Sequence, residues 1–213
     1  MAVVVADRPD DDQGALAPVL GVPIVVRAVR GLLASGVVGE VAVLVRPQAC
    51  GPATRLLRGL PVSVYPDPAA AIALVERARL SGASAVLVHD AVRPLTPPAL
   101  AEAVTRSVSG GGTHGVAVPV LALADTVKHV HPNGLVVGGP DRSGLWVVQT
   151  PQAFRPDLLC ADALHRVLTT EPVEHAWAVV DAPVATVPGH PLAFAVRSAW
   201  DRELAEMLAQ DAA

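Results

Sequence analysis

Unbroken apolar runs, separated by stretches of helical length, dominate the first 120 residues. The runs "AVVVA" 2–6, "EVAVLV" 40–45, "PVSVY" 61–65, "SAVLVHD" 84–90 and "GVAVPV" 115–120 do not alternate with polar residues. A strand covered on both faces needs that composition, so they predict a parallel sheet. The segments near 24–35, 51–58, 69–81 and 97–108 read as helices, the last introduced by Thr96 ahead of two prolines. Repeated β-α units predict an α/β fold, a Rossmann-like mostly parallel sheet with helices on both faces. Further helices are expected near 156–168 and 201–210, with a strand at 183–187 between them.

The pattern changes after residue 120. "DTVKHVHPNGLVVGGPDRSGLWVVQT", 125–150, sets Asn133-Gly134 between two strand-like segments, which predicts a hairpin that leaves the sheet as an arm at about 125–148. A lone ribbon is marginal in water, and a second copy of the chain is the simplest cover for it. The 213 residues suit one globular unit, and neither a repeat nor a low-complexity linker divides them.

Composition narrows the function. Hydrophobic residues make up 52% of the chain, yet no apolar run approaches eighteen residues, and Asp7, Asp10, Asp11 and Asp12 interrupt the start before a signal peptide could form. Two isolated cysteines, Cys50 and Cys160, favour a reducing cytoplasm over a disulfide framework. A net charge of −4 and 3% aromatic residues argue against nucleic-acid binding. Lysine occurs once, at Lys128.

Asp90 and Arg93 fall just past the carboxyl end of a predicted strand, where open α/β sheets hold their ligands. One reading gives Asp90 a divalent metal, or a phosphate held through it, with Arg93 as anion donor. The other makes Asp90 a turn cap and Arg93 its surface partner. His89 reads as structural, and His129 and His131 as solvent-facing arm residues.

"HDAVRPL" 89–95, "PVLALADTVKHV" 119–130 and "DRSGLWVVQTPQAF" 141–154, in that order and spacing, resemble the 2-C-methyl-D-erythritol 4-phosphate cytidylyltransferase family of isoprenoid precursor synthesis. The resemblance implies one nucleotidyltransferase-like domain over 1–213, a homodimer joined through the arm, and Mg²⁺-dependent transfer of CMP from CTP to methylerythritol phosphate. It implies that Asp90 contacts the metal and the reacting phosphates, supported by Arg93, with Ala91 beside the nucleotide. Thr126 and Arg142 would reach from the arm into the partner's site to hold methylerythritol phosphate, and Thr150 would close the pocket.

The first loop departs from the family pattern. A glycine-rich run with an arginine and a Pro-Lys pair is replaced by "DRPDDDQGALAP", where Arg8 is the cation left for a nucleotide and Gly14 stands in the lysine's place. A carboxylate about 4 Å from a phosphate charge costs about 4 kcal/mol at an effective dielectric near 20. One or two charge-assisted hydrogen bonds, about 1.5–3 kcal/mol each, do not offset four carboxylates. The family's cytidine-side arginine and serine align with Pro68 and Ala71, its acidic Thr-Asp motif with "VEHA", where Glu174 keeps a carboxylate, and its late lysine with Ala195. The expected function is a sugar-phosphate-binding homologue with an eroded CTP half, paired with itself or with a functional paralogue. The alternatives are an active enzyme with Arg8 and Mg²⁺ at Asp10–Asp12 in a remodelled first loop, and a nucleotidyltransferase of another substrate.

Overall fold

The computed structural model describes residues 1–6, 14–109 and 113–210. Arg8 and the aspartates at 7 and 10–12, singled out above, lie outside the described residues.

β1 (Ala2–Val5) is followed by a small antiparallel ribbon, β2 (Pro18–Val19) and β3 (Val22–Pro23), which leads into α1 (Ile24–Ala34). Its two turn residues, Leu20 and Gly21, both have positive φ, 48° and 72°, the conformation of the tightest hairpin turns. β4 (Val41–Leu44), α2 (Cys50–Leu56), β5 (Val62–Tyr65), α3 (Pro68–Leu80), β6 (Val86–Asp90) and α4 (Pro98–Ser109) complete the alternating half. The second half holds β7 (Val116–Ala122), β8 (His129–Val130), β9 (Val136–Gly138), β10 (Trp146–Val148), β11 (Gln152–Phe154), α5 (Ala161–Thr169), β12 (Val184–Pro188) and α6 (Ala199–Gln210).

β6, β1, β4 and β5 lie side by side and parallel. β11 inserts antiparallel between β6 and β7, and β12 pairs parallel on the other edge of β7. β10 pairs along the same edge of β7 as β11, so the two are halves of one strand broken at Gln149–Pro151. The mostly parallel sheet agrees with the expectation from the apolar runs.

Successive strand residues feed two separate cores, which is why the runs carry no polar alternation. Ala2, Val4, Val41, Val43 and Leu87 pack with α1, α2, α4 and α6 on one face. Val3, Ala42, Leu44, Val86 and Val88 pack with α3 and α5 on the other. Side chains of a strand point alternately to opposite faces, so a sheet with two covered faces needs apolar residues at every position. Thr96, expected as a helix cap, instead donates its hydroxyl to the Arg93 carbonyl at 3.0 Å and closes the turn after β6.

The register sets Val5 of β1 opposite Asp90 of β6, so both strands end together at the carboxyl edge. Within 125–148, β8 and β9 pair as an antiparallel ribbon turned at Asn133-Gly134, with Gly134 at φ 85°. Val130, Leu135, Val136 and Val137 on this ribbon are each more than half exposed.

Candidate functional site

Asp90 ends β6 with its side chain 1% exposed. Its carboxylate Oδ1 accepts the Val92 N–H at 3.2 Å, closing an Asx-type turn, and its Oδ2 lies 3.9 Å from Nη2 of Arg197. Arg93, three residues on, is buried rather than on the surface, and its ion-pair partner is Glu174. Its other terminal nitrogen donates to the Ala193 carbonyl, and its buried Nε has no hydrogen-bond partner among the described residues. Glu174 also receives Nη2 of Arg197 on the same oxygen, Oε1, so one carboxylate joins two guanidinium groups. Burial pushes the Glu174 carboxyl upward, but Arg93, a backbone donor and Arg197 outweigh it and hold its pKa below the usual glutamate value.

Backbone and amide bonds place these four groups. Val196 N–H donates to the Val92 carbonyl at 2.7 Å, tying the segment leading to Arg197 onto the turn that holds Arg93. Two wholly buried glutamines on the broken strand each pin a loop through both ends of the amide. Gln152 donates to the Glu174 carbonyl at 2.7 Å and accepts from Trp177 N–H at 3.0 Å. Gln149 donates to the His190 carbonyl and accepts from its N–H, both at 2.9 Å. Neither glutamine was singled out from the sequence, although two amides inside "WVVQTPQAF" are a visible signal that buried polar groups must find partners there.

Thr150 sits in the break between β10 and β11, fully buried. Its hydroxyl accepts the Asp90 N–H at 3.0 Å and lies 2.9 Å from Nδ1 of His89. With the Asp90 amide on one lone pair, the hydroxyl is placed to donate to the ring nitrogen. Burial first, and the charge on Arg93 second, push the His89 imidazole down to about 3, so it is neutral at any physiological pH. Ala91 is buried, and its N–H is taken by the Val5 carbonyl at 3.0 Å.

Arg93, Trp146, Gln149, Glu174, Phe194 and Arg197 line a cleft of about 470 Å³ outside this edge of the sheet. Asp90 and Thr150 are buried and do not line it, but hydrogen bonds and ion pairs gather them with Arg93, Glu174 and Arg197. Thr126 and Arg142 lie exposed on the 125–148 segment, with Arg142 Nη1 donating to the Ala124 carbonyl at 2.9 Å. Arg197, not a candidate from the sequence, stands two residues beyond Ala195, the position that aligns with the family's late lysine.

At the end of β5, Asp67 caps α3 and accepts the Ala69 and Ala70 N–H groups at 2.7 and 3.3 Å. Those amides are committed to an internal carboxylate, which also brings negative charge to the end of β5. A protein-held divalent metal does not fit the residues around Asp90. One carboxylate oxygen is used by the Val92 amide, the other faces Arg197, and no group of three or more His, Cys, Asp or Glu is placed to hold a metal among the described residues.

Replacing Glu174 with Gln leaves two guanidinium groups over Asp90 without their shared counter-charge, and should cost about 3–5 kcal/mol in urea unfolding. The buried His89 supplies a second expectation. Its folded pKa lies below the unfolded value near 6.5, so between about pH 3 and 6.5 the unfolded chain binds the extra proton and stability falls as pH falls. Unfolding free energy should therefore drop by up to about 1.4 kcal/mol per pH unit between 6.5 and 5, above the range where Glu174 titrates. His89→Gln should flatten that part of the profile, and an unchanged slope would show that another group sets it.

Comparison with known proteins shows the family and agrees with the fold. The family model for 2-C-methyl-D-erythritol 4-phosphate cytidylyltransferase (IspD) matches residues 9–211. A protein of that name from Frankia casuarinae is 42% identical over 192 residues, covering 88% of this chain and 71% of its own. Another from Nocardia farcinica is 41% identical over 197 residues, covering 91% and 84%. The crystal structure of the Thermus thermophilus protein of that name superimposes with a TM-score of 0.72 at 28% identity, over 98% of each chain. The chain belongs to the 2-C-methyl-D-erythritol 4-phosphate cytidylyltransferase family.

Proposed function

We propose that this chain binds 2-C-methyl-D-erythritol 4-phosphate, or a sugar phosphate close to it, in the cleft over Asp90, and transfers CMP slowly or not at all. The observation that carries the reading is an imbalance of charge between two ends of one site. The sugar-phosphate side sets Arg93 and the half-exposed Arg197 against Asp90 and Glu174, so its charges balance, with Thr150 beside them. The first loop, "DRPDDDQG", offers a triphosphate four carboxylates, one arginine and no lysine, and Asp67 adds another carboxylate on the cytidine side. Phosphoryl transfer from a triphosphate depends on cations and bare amides placed around the phosphates. In this reading Asp90 and Arg93 are the surviving reactive-centre residues, Thr150 holds Asp90 in place, and Ala91 and Arg8 are remnants of the nucleotide side. The protein acts in the cytoplasm as a binding or regulatory partner of isoprenoid precursor synthesis.

The second copy completes the cleft. Val130, Leu135, Val136, Val137 and Trp146 leave a run of apolar side chains exposed on the 125–148 segment, a cost in water that dimerisation removes. Thr126 and Arg142 of that segment then reach the partner's cleft, where Arg142 adds a third guanidinium for the phosphate. A functional paralogue with a similar arm is the other partner that fits.

A second reading, an active cytidylyltransferase, is favoured by the names of relatives 39–42% identical to this chain. In that reaction a phosphate oxygen of methylerythritol phosphate attacks the α-phosphorus of CTP and pyrophosphate leaves. Isothermal titration separates the two readings. Methylerythritol phosphate should bind at micromolar concentration, while CTP with Mg²⁺ should show no heat below millimolar, and no pyrophosphate should form when both are mixed with the protein. Tight CTP binding, or pyrophosphate release abolished by Asp90→Asn, would establish the active enzyme. A thermal-shift screen of other nucleoside triphosphates tests for a different nucleotide substrate, since a ligand at a hundred times its Kd adds about 2.7 kcal/mol of stability. Sedimentation should find a dimer that Val136→Asp converts to monomer.

A further inference from the structure

We infer that the guanidinium of Arg197 is a built-in cation that takes the place of a divalent metal between Asp90 and Glu174, so that this cleft binds a phosphate monoester without metal. The inference rests on the sugar-phosphate reading above and concerns how the same cleft balances charge.

Position comes first. One nitrogen of Arg197, Nη2, is bonded to Oε1 of Glu174 and stands 3.9 Å from Oδ2 of Asp90, so a single positive group spans both carboxylates. Access follows from burial. The side chains of Asp90 and Glu174 are 1% and 10% exposed, while that of Arg197 is 46% exposed. Whatever approaches the two carboxylates meets the guanidinium before it meets either of them.

The donor set then decides between guanidinium and metal. Mg²⁺ demands near-octahedral oxygen ligands and binds through carboxylates that are open to it. Here Oδ1 of Asp90 accepts the Val92 amide, and Oε1 of Glu174 is shared by Arg93 and Arg197. A metal would have to expel Arg197 and then share Glu174 with Arg93, a cation beside a cation. A guanidinium meets no such obstacle. It is planar, stays charged at every physiological pH, and carries five N–H donors. With Nη2 committed to the carboxylates, Nη1 and Nε each keep N–H donors that can bond phosphate oxygens singly, while the positive charge of the group faces the anion.

The backbone of Arg197 is fixed for this task. Its N–H donates to Asp201 Oδ2 at 2.9 Å, and the N–H and hydroxyl of Ser198 donate to the same oxygen at 2.8 Å. Together with the Val196–Val92 bond, these hold the chain on both sides of the residue, so the guanidinium reaches the carboxylates from a set position.

The test is a titration of the full chain with methylerythritol phosphate and, separately, with inorganic phosphate, each in EDTA and in millimolar Mg²⁺. The expected result is a Kd for each ligand that agrees within twofold between the two buffers. Arg197→Gln should weaken binding at least tenfold in both, while Arg197→Lys, which keeps the charge, should recover part of the loss. Circular dichroism of each variant establishes that it is folded. Binding that requires Mg²⁺, or affinity unaffected by Arg197→Gln in a folded protein, overturns the inference. Metal-independent, Arg197-dependent binding of inorganic phosphate without binding of the sugar phosphate would sustain it and sink the proposed ligand. Binding of neither ligand refutes both.

Discussion

A carboxylate buried between two guanidinium groups is the constraint around which the ligand end of this protein is arranged. Glu174 cannot be withdrawn from water alone, since an isolated buried charge costs far more than a domain's net stability can offset. Arg93 and Arg197 supply the compensation, and each is then held in a direction that the apolar cores could not have specified. Arg93 comes from the turn after β6, Glu174 from the segment after α5, and Arg197 from the approach to α6. The ion network therefore joins three stretches of chain that are distant in sequence, and it does so directly over Asp90.

Around that network lies a layer of neutral hydrogen bonds that fixes geometry without adding charge. Gln149 and Gln152 use both ends of their amides to hold the segments carrying His190 and Glu174. Thr150 and His89 fasten the backbone of Asp90 from the other side. A histidine serves here only because burial keeps it neutral; a charged imidazole would oppose Arg93 at short range. These residues lie near the edge of the sheet where β6 ends, Gln152 at the start of the antiparallel β11, and at that edge an open α/β sheet leaves main-chain groups and side chains facing a crevice.

Fold and polyphosphate chemistry draw on different parts of a sequence. The sheet and its two cores depend on apolar patterning, which tolerates exchange among Val, Ala, Ile and Leu. Polyphosphate binding depends on particular cations and amides, so it is sensitive to the charge of a few positions. At 41–42% identity to named cytidylyltransferases, the chain retains the pattern throughout, while "DRPDDDQG" reverses the charge of the loop that follows β1.

The α/β class, the parallel order of the first strands, the hairpin at Asn133-Gly134 and the strand-end placement of Asp90 and Arg93 were all legible in the sequence, because periodicity, turn residues and strand-end placement are local properties of the chain. The family itself was legible in three motifs between residues 89 and 154. What the sequence could not disclose was pairing at a distance. Arg93 reads as a partner for nearby Asp90, yet it bonds Glu174, 81 residues away. Arg197 looks like any surface arginine until the loop before α6 is laid over β6. Only the folded chain decides which charges share a low-dielectric space, because electrostatic energy depends on separation and burial, and neither is written in the order of residues.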